Sequence, residues 1–254
     1  MGFYFTKDGM NAVLKRLMDE YLLYAPIRII GGGAFSDTDS VRYGQISEIS
    51  DIIFDQKSEY SFKEILLPLS QTLFFFTEDQ VKEAEAPKKG AVIFLRSCDL
   101  HAVKRLDEIY LRNGFEDYYY KRLRENVRFV LLGCQKPFEN CFCVDMQTNT
   151  IDTYDACIEQ AGDGFVMDNH SAAWESLLSS HCLNQQDVQP SHVSETRVHV
   201  KIPDGLSICV ANSKMWDEYD GRCINCGRCN FVCPTCTCFT MQDIFYTDNG
   251  KVGE

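Results

Sequence analysis

Six of the chain's thirteen cysteines crowd into one stretch: Cys223-Ile-Asn-Cys226-Gly-Arg-Cys229-Asn-Phe-Val-Cys233-Pro234-Thr-Cys236-Thr-Cys238. The run opens as C-x2-C-x2-C-x3-C with Pro234 next, and thiolates at that spacing are iron ligands. Two-residue gaps let Cys223, Cys226 and Cys229 converge on one cuboidal [4Fe–4S] cluster while the intervening amides turn toward its sulfides. The longer step and the proline then swing the chain away, so a cysteine in the place of Cys233 usually serves a different cluster. A disulfide knot or a structural zinc ribbon is the poorer reading. Zinc favours two separated C-x2-C pairs.

A two-cluster module needs a second such run, because each run lends its fourth cysteine to the other cluster. None follows before Glu254. Either Cys236 or Cys238, the nearest in sequence, completes the site, or the chain is a fragment. The ending Asp248-Asn249-Gly250-Lys251-Val252-Gly253-Glu254 carries a turn signal and reads as the middle of a polypeptide, so truncation is the expectation.

A second group of cysteines follows two apolar runs. Gly90–Leu95 and 126–132 read as buried strands, with a helix over 99–111 between them, opened by Asp99 as its cap. Strand–helix–strand with continuous apolar strands predicts a βαβ unit in a parallel sheet. Functional groups gather at the carboxyl edge of such sheets. Cys98 follows the first strand; Cys134, Cys141 and Cys143 follow the second. If the strands are neighbours, four thiols meet at one edge. They suit a cubane cluster or zinc, and the company of the first run favours iron–sulfur. Otherwise Cys98 and Cys134 are small buried hydrophobes, a common fate of free cysteine. Arg96 could neutralise cluster charge and His101 could donate to a sulfur; equally, Asp99 is only a cap and His101 a surface residue. Cys157, Cys182 and Cys209 stand alone and read as structural. No Ser/His/Asp triad or paired-carboxylate signature emerges.

The remaining elements are read from periodicity. Residues 8–24 predict a helix capped by Asp8, then a short strand from Arg28 into Gly31-Gly32-Gly33, a plain turn rather than a phosphate cradle. Residues 41–54 suggest paired strands, 62–67 and 72–76 flank Pro68, and 78–89 suggest a charged short helix and loop. Residues 150–170 read as acidic and turn-rich, 174–180 as a short helix, 185–194 as a linker and 197–202 as a strand. The expected architecture is an α/β domain with a partly parallel sheet over residues 1–205. The first half of a 4Fe–4S ferredoxin-type domain follows over 206–254.

Composition narrows the partners. The formal net charge is −12, which argues against nucleic acid and anionic membrane. Met1-Gly2-Phe3 opens without a basic segment and apolar stretch, and no apolar patch is long enough to span a bilayer. Many cysteines without an export signal point to metal or redox chemistry in a reducing cytoplasm.

The order Arg96-Ser-Cys-Asp-Leu-His-Ala102, Gly133-Cys134 with Cys141-Phe-Cys143, then Cys223–Cys238, together with Lys63-Glu-Ile-Leu-Leu-Pro-Leu-Ser-Gln-Thr-Leu-Phe74, resembles the iron–sulfur electron-transfer component of anaerobic sulfite reductases. The wider family includes the β subunits of cytoplasmic sulfhydrogenases. The resemblance runs from about residue 60 onward, and it implies that the ferredoxin-type domain over 206–254 is part of an α-helical one, with 239–246 as one of its helices. It implies an electron-transfer protein with [4Fe–4S] clusters, not catalytic alone. A flavin subunit would take electrons from NADH, and a sirohaem subunit would reduce sulfite to sulfide. The same job in a hydrogenase complex, or a structural zinc protein, are the alternatives.

Overall fold

The computed structural model describes residues 2–35, 37–205 and 207–254. The boundary expected after residue 205 adjoins Leu206, which lies outside the described residues.

The chain opens with β1 (Gly2–Phe5), α1 (Lys7–Leu17), β2 (Tyr21–Ile29) and β3 (Ser40–Gln45). A small ribbon follows, β4 (Phe74–Phe76) against β5 (Val81–Glu83). Then come β6 (Gly90–Leu95), α2 (Ser97–Leu111), α3 (Tyr118–Arg124), β7 (Val127–Leu132), β8 (Ala156–Ala161), β9 (Gly164–Asn169), α4 (Glu175–His181) and β10 (Asn184–Gln185). Eight strands form one mixed sheet in the order β10-β1-β9-β8-β7-β6-β2-β3. Its centre, β2, β6, β7 and β8, is parallel; the flanking pairs are antiparallel.

The core explains the apolar runs. Side chains alternate across a strand. Val92 and Phe94 of β6 pack on one face with α1 and α4. Ile93 and Leu95 pack on the other with α2 and α3. Both faces are covered, so the parallel strands are apolar throughout. The expected βαβ unit is present, with Leu95 of β6 in register with Leu131 of β7.

Several local expectations are corrected. Thr6, not Asp8, caps α1, its hydroxyl accepting from the Gly9 amide at 3.2 Å. The helix stops at Leu17, and residues 21–29 join the sheet as β2. Pro26 is tolerated there because β2 pairs with β6 only over Tyr21–Tyr24, so its missing N–H breaks no bond on that side. Asp99 lies in the first turn of α2, whose cap position is Arg96. Residues 150–170 hold the hairpin β8–β9 rather than turns alone, and Val81–Glu83 is strand rather than helix. Neither 197–202 nor 239–246 forms the expected element. Tyr246 and Ile244 instead bond back to Val252 and Glu254, and Gly253 bridges to Phe76.

Past the sheet, α5 (Met215–Arg222) and α6 (Arg228–Val232) form a small helical region carrying the dense cysteine run. No helix among the described residues is long and apolar enough to cross a membrane.

Candidate metal centres

The dense run begins where α5 ends. Cys223 is the C-cap of α5, Gly227 the N-cap of α6, and Cys233 the C-cap of α6. Between them the backbone turns left-handed twice, at Asn225 (φ 56°) and Gly227 (φ 69°). Glycine meets that need without strain, and asparagine tolerates it. Left-handed residues beside right-handed ones turn successive amides to one side and form the anion-binding concavities found at iron–sulfur sites. The loop thus presents thiols and main-chain donors together, which is the chemistry a [4Fe–4S] cluster requires.

Cys223, Cys226 and Cys229 are exposed; Cys233 and Cys236 are half-buried. Burial works against the Cys233 thiolate, but the Thr235 hydroxyl and the Thr235 and Cys236 amides outweigh it and lower its pKa. The Cys238 thiol is raised, chiefly by its hydrogen bond with Cys236. Cys238 also lies within electrostatic range of Cys229.

The run is tied to the sheet domain through residues 59–63. The Ser61 amide donates to the Phe231 carbonyl at 3.4 Å. The Lys63 ammonium, 8% exposed, donates to the carbonyls of Asn230 and, at 2.9 Å, Cys236. Arg228 pairs with Glu59 at 3.5 Å and lies over the Tyr60 ring. Tyr110, at the far end of α2, lies within electrostatic range of Cys236 and Cys238.

The second group sits at the near end of α2. Cys98 is the second residue of that helix, and Cys134 follows β7 by two residues. Because β6 and β7 are neighbours, their carboxyl ends bring both to one place. Cys98, Cys134, Cys141 and Cys143 line a single cavity with Arg96 and Lys57. Gly133 makes room for this turn: a Cβ there would stand 2.2 Å from Glu159 Oε1. Glu159 is buried and accepts from the Ser191 amide, while Ser191 returns its carbonyl to the Cys134 amide at 2.9 Å. The loop beyond is pinned at Thr148, whose amide donates to the Cys143 carbonyl at 2.8 Å and whose carbonyl accepts from the Ser97 hydroxyl at 2.9 Å.

Burial, then the neighbouring Asp99, pushes the Cys98 thiol far above its ordinary range. Burial also raises the Asp99 carboxyl, although it accepts from the Tyr43 hydroxyl at 3.3 Å. Among the described residues, no three Cys, His, Asp or Glu side chains close on a single metal-ion position.

The structure therefore keeps the two cysteine groups apart, at opposite ends of α2. Twelve residues separate Cys98 from Tyr110, about 18 Å along a helix. His101 bonds the Thr150 carbonyl rather than a sulfur, at 2.8 Å. Cys157 is buried in the core, Cys182 is half-buried and Cys209 is exposed. Sequence reasoning missed Lys57 and Lys63. Neither stands in a metal-ligand pattern; folding brings Lys57 beside the thiols and Lys63 onto the carbonyls of the dense run.

Residues 222–254 match a family described as a 4Fe-4S dicluster domain. The chain carries [4Fe–4S] clusters, with the dense run inside that match. Over 244 residues the chain is 26% identical to sulfhydrogenase 2 subunit beta of Pyrococcus furiosus, covering 90% of this chain and 70% of that one. No solved structure gives a significant match.

Proposed function

We propose that the protein is an iron–sulfur electron-transfer subunit of a multi-subunit cytoplasmic oxidoreductase. The observation that carries this is the C-x2-C-x2-C-x3-C-P run, held on a left-handed amide loop within the 4Fe-4S dicluster match. Bound [4Fe–4S] clusters supply one-electron transfer. The chain's own residues supply thiolates from Cys223, Cys226 and Cys229, amide donors from the loop, and a buried cation from Lys63. Cys233 is held for a neighbouring cluster. The polypeptide brings no dinucleotide fingerprint, so hydride chemistry belongs to a flavin-containing partner that oxidises NADH. Ile208, Ile224, Phe239 and Met241 are largely exposed, which suits a segment covered by further protein.

Two terminal partners fit. The motif order supports a sirohaem subunit that reduces sulfite to sulfide. The name of the Pyrococcus relative supports a hydrogenase-type complex equally well. Anaerobic purification from the native host, with identification of the copurifying subunits, separates them. A sirohaem protein with NADH-dependent sulfite reduction establishes the first. A nickel–iron subunit with hydrogen turnover establishes the second. A protein that purifies alone with stoichiometric zinc and no iron overturns both.

A further inference from the structure

We propose that Cys98, Cys134, Cys141 and Cys143 hold a second, separate [4Fe–4S] cluster at the carboxyl edge of the sheet. The dicluster match begins at residue 222 and does not reach any of them.

Four thiols lining one cavity make an unusual donor set, and each comes from a well-fixed element. Cys98 is fixed by the first turn of α2. Cys134 is fixed by its amide bond to Ser191 and by the close packing of Gly133 on Glu159. Cys141 is held by its amide to the Phe138 carbonyl at 3.1 Å, and Cys143 by its carbonyl to Thr148.

The surrounding charge points to an anionic occupant. Arg96 is 4% exposed. Its Nη1 donates to the Gly133 carbonyl and to Cys134 Sγ, each at 3.4 Å, and its Nη2 to the Phe54 carbonyl at 2.5 Å. Phe138 covers the guanidinium, 4.6 Å from its ring centroid. Arg96 Nε is buried with no acceptor among the described residues. A buried donor left unmatched is costly, so a sulfur acceptor nearby gives this arrangement a physical reason. Lys57 and Lys136 line the same cavity. A cluster held by four thiolates is an anion, and it gains one further negative charge on reduction.

The company of the dense run favours a cluster over a single ion. With metal–sulfur bonds of about 2.3 Å, four sulfurs around one zinc stand about 3.8 Å apart. No three of these side chains close on such a position. In a cubane each thiolate binds a different iron, so the sulfurs stand further apart while still facing one cavity.

The test removes the other site first. The Cys223→Ser, Cys226→Ser, Cys229→Ser triple variant is purified anaerobically and analysed for iron, acid-labile sulfide and zinc, with Mössbauer spectra of iron-57-labelled protein. About four iron atoms and four sulfides per chain should remain. Adding Cys134→Ser and Cys141→Ser should remove them, whereas adding Cys182→Ser, outside both groups, should not. Circular dichroism confirms that each variant is folded. Unmodified protein gives a reading free of any folding defect: its Mössbauer iron should exceed what the dense run accounts for by one cluster. Retention of one zinc without sulfide in the triple variant overturns the proposal. So does a folded triple variant without iron, or unmodified protein without the extra cluster. Loss of the dense-run cluster alone would count against the proposed electron-transfer role, not against this site.

Discussion

The buried Lys63 ammonium donates to the main-chain carbonyl of Cys236 at 2.9 Å, across 173 residues of sequence. It also lies within electrostatic range of Cys233 and Cys238. A buried cation favours the reduced cluster, which bears the greater negative charge. Replacing Lys63 by Met is expected to lower the reduction potential of the dense-run cluster by a few tens of millivolts, the scale of one partly screened charge. Lys63→Arg keeps the charge and should restore most of the shift. EPR-monitored redox titration of both variants checks this; an identical potential in the Met variant would remove Lys63 from any tuning role.

A second expectation concerns the far end of α2. Asp107 accepts from the Tyr120 hydroxyl at 2.7 Å and from Arg124 Nε at 3.0 Å. Tyr120 in turn stacks on Tyr110, with centroids 4.7 Å apart. Burial, then the hydrogen bond to Asp107, pushes the Tyr120 phenol up, so it remains a neutral donor. Asp107→Ala leaves a half-buried guanidinium and a buried hydroxyl unmatched and should cost about 2–3 kcal/mol. Asp107→Asn keeps an acceptor and should cost about 1–2 kcal/mol. Denaturant unfolding measures both, and equal losses would show that the charge itself is irrelevant.

Acid dependence should be traceable to Asp51. Burial opposes its charged form, but the Ser47 and Glu48 amides, each at 2.9 Å, outweigh burial and lower its pKa. A folded-state pKa below the unfolded value of about 3.9 gives stability that is complete above that value. It is lost as pH falls through the folded pKa. Asp51→Asn should therefore flatten the stability profile in the acid region below about pH 4 and lower stability at neutral pH. Melting temperatures from pH 2 to 7 test this; an unchanged acid slope would mean the turn does not depend on the ionised carboxylate.

How much of this was legible in the sequence depended on burial. β6 and β7 could be read because strands covered on both faces leave continuous apolar runs. β8 and β9 could not, because Glu159, Asp168 and Asn169 are buried polar residues that interrupt the pattern. β2 was masked because Tyr21 and Leu22 continue the helical spacing of α1, and only pairing with β6 and β3 makes them strand. Cysteines announced themselves by type and spacing, and the neighbouring strand ends that join Cys98 to Cys134 followed from the βαβ reading. Arg96 could be named, but not its unmatched Nε, which is a product of packing. Lys63 stands in a stretch that carries the resemblance, but its contacts left no signal, since its partners are carbonyls that any residue could supply.

The last expectation follows from the division of labour. The chain carries cluster ligands, but its sequence shows no nicotinamide fingerprint and no sirohaem signature. By itself the protein should neither oxidise NADH nor reduce sulfite. Adding flavin and sirohaem subunits should produce NADH-dependent sulfite reduction if that is the native complex; a nickel–iron partner should give hydrogen turnover if it is not. Cys226 lies between the two left-handed residues, Asn225 and Gly227, in the middle of the loop. Replacing it by Ala removes one ligand while leaving the loop backbone free to fold. Coupled turnover should be lost if electrons cross that cluster, as proposed. Reduction of an artificial acceptor by NADH should persist, because that step needs only the flavin partner. Measuring both activities on one reconstituted preparation distinguishes loss of the electron path from loss of assembly, which would abolish copurification of the subunits as well. Full coupled turnover by the Cys226→Ala variant would place the cluster off the path and end the electron-transfer reading of the dense run.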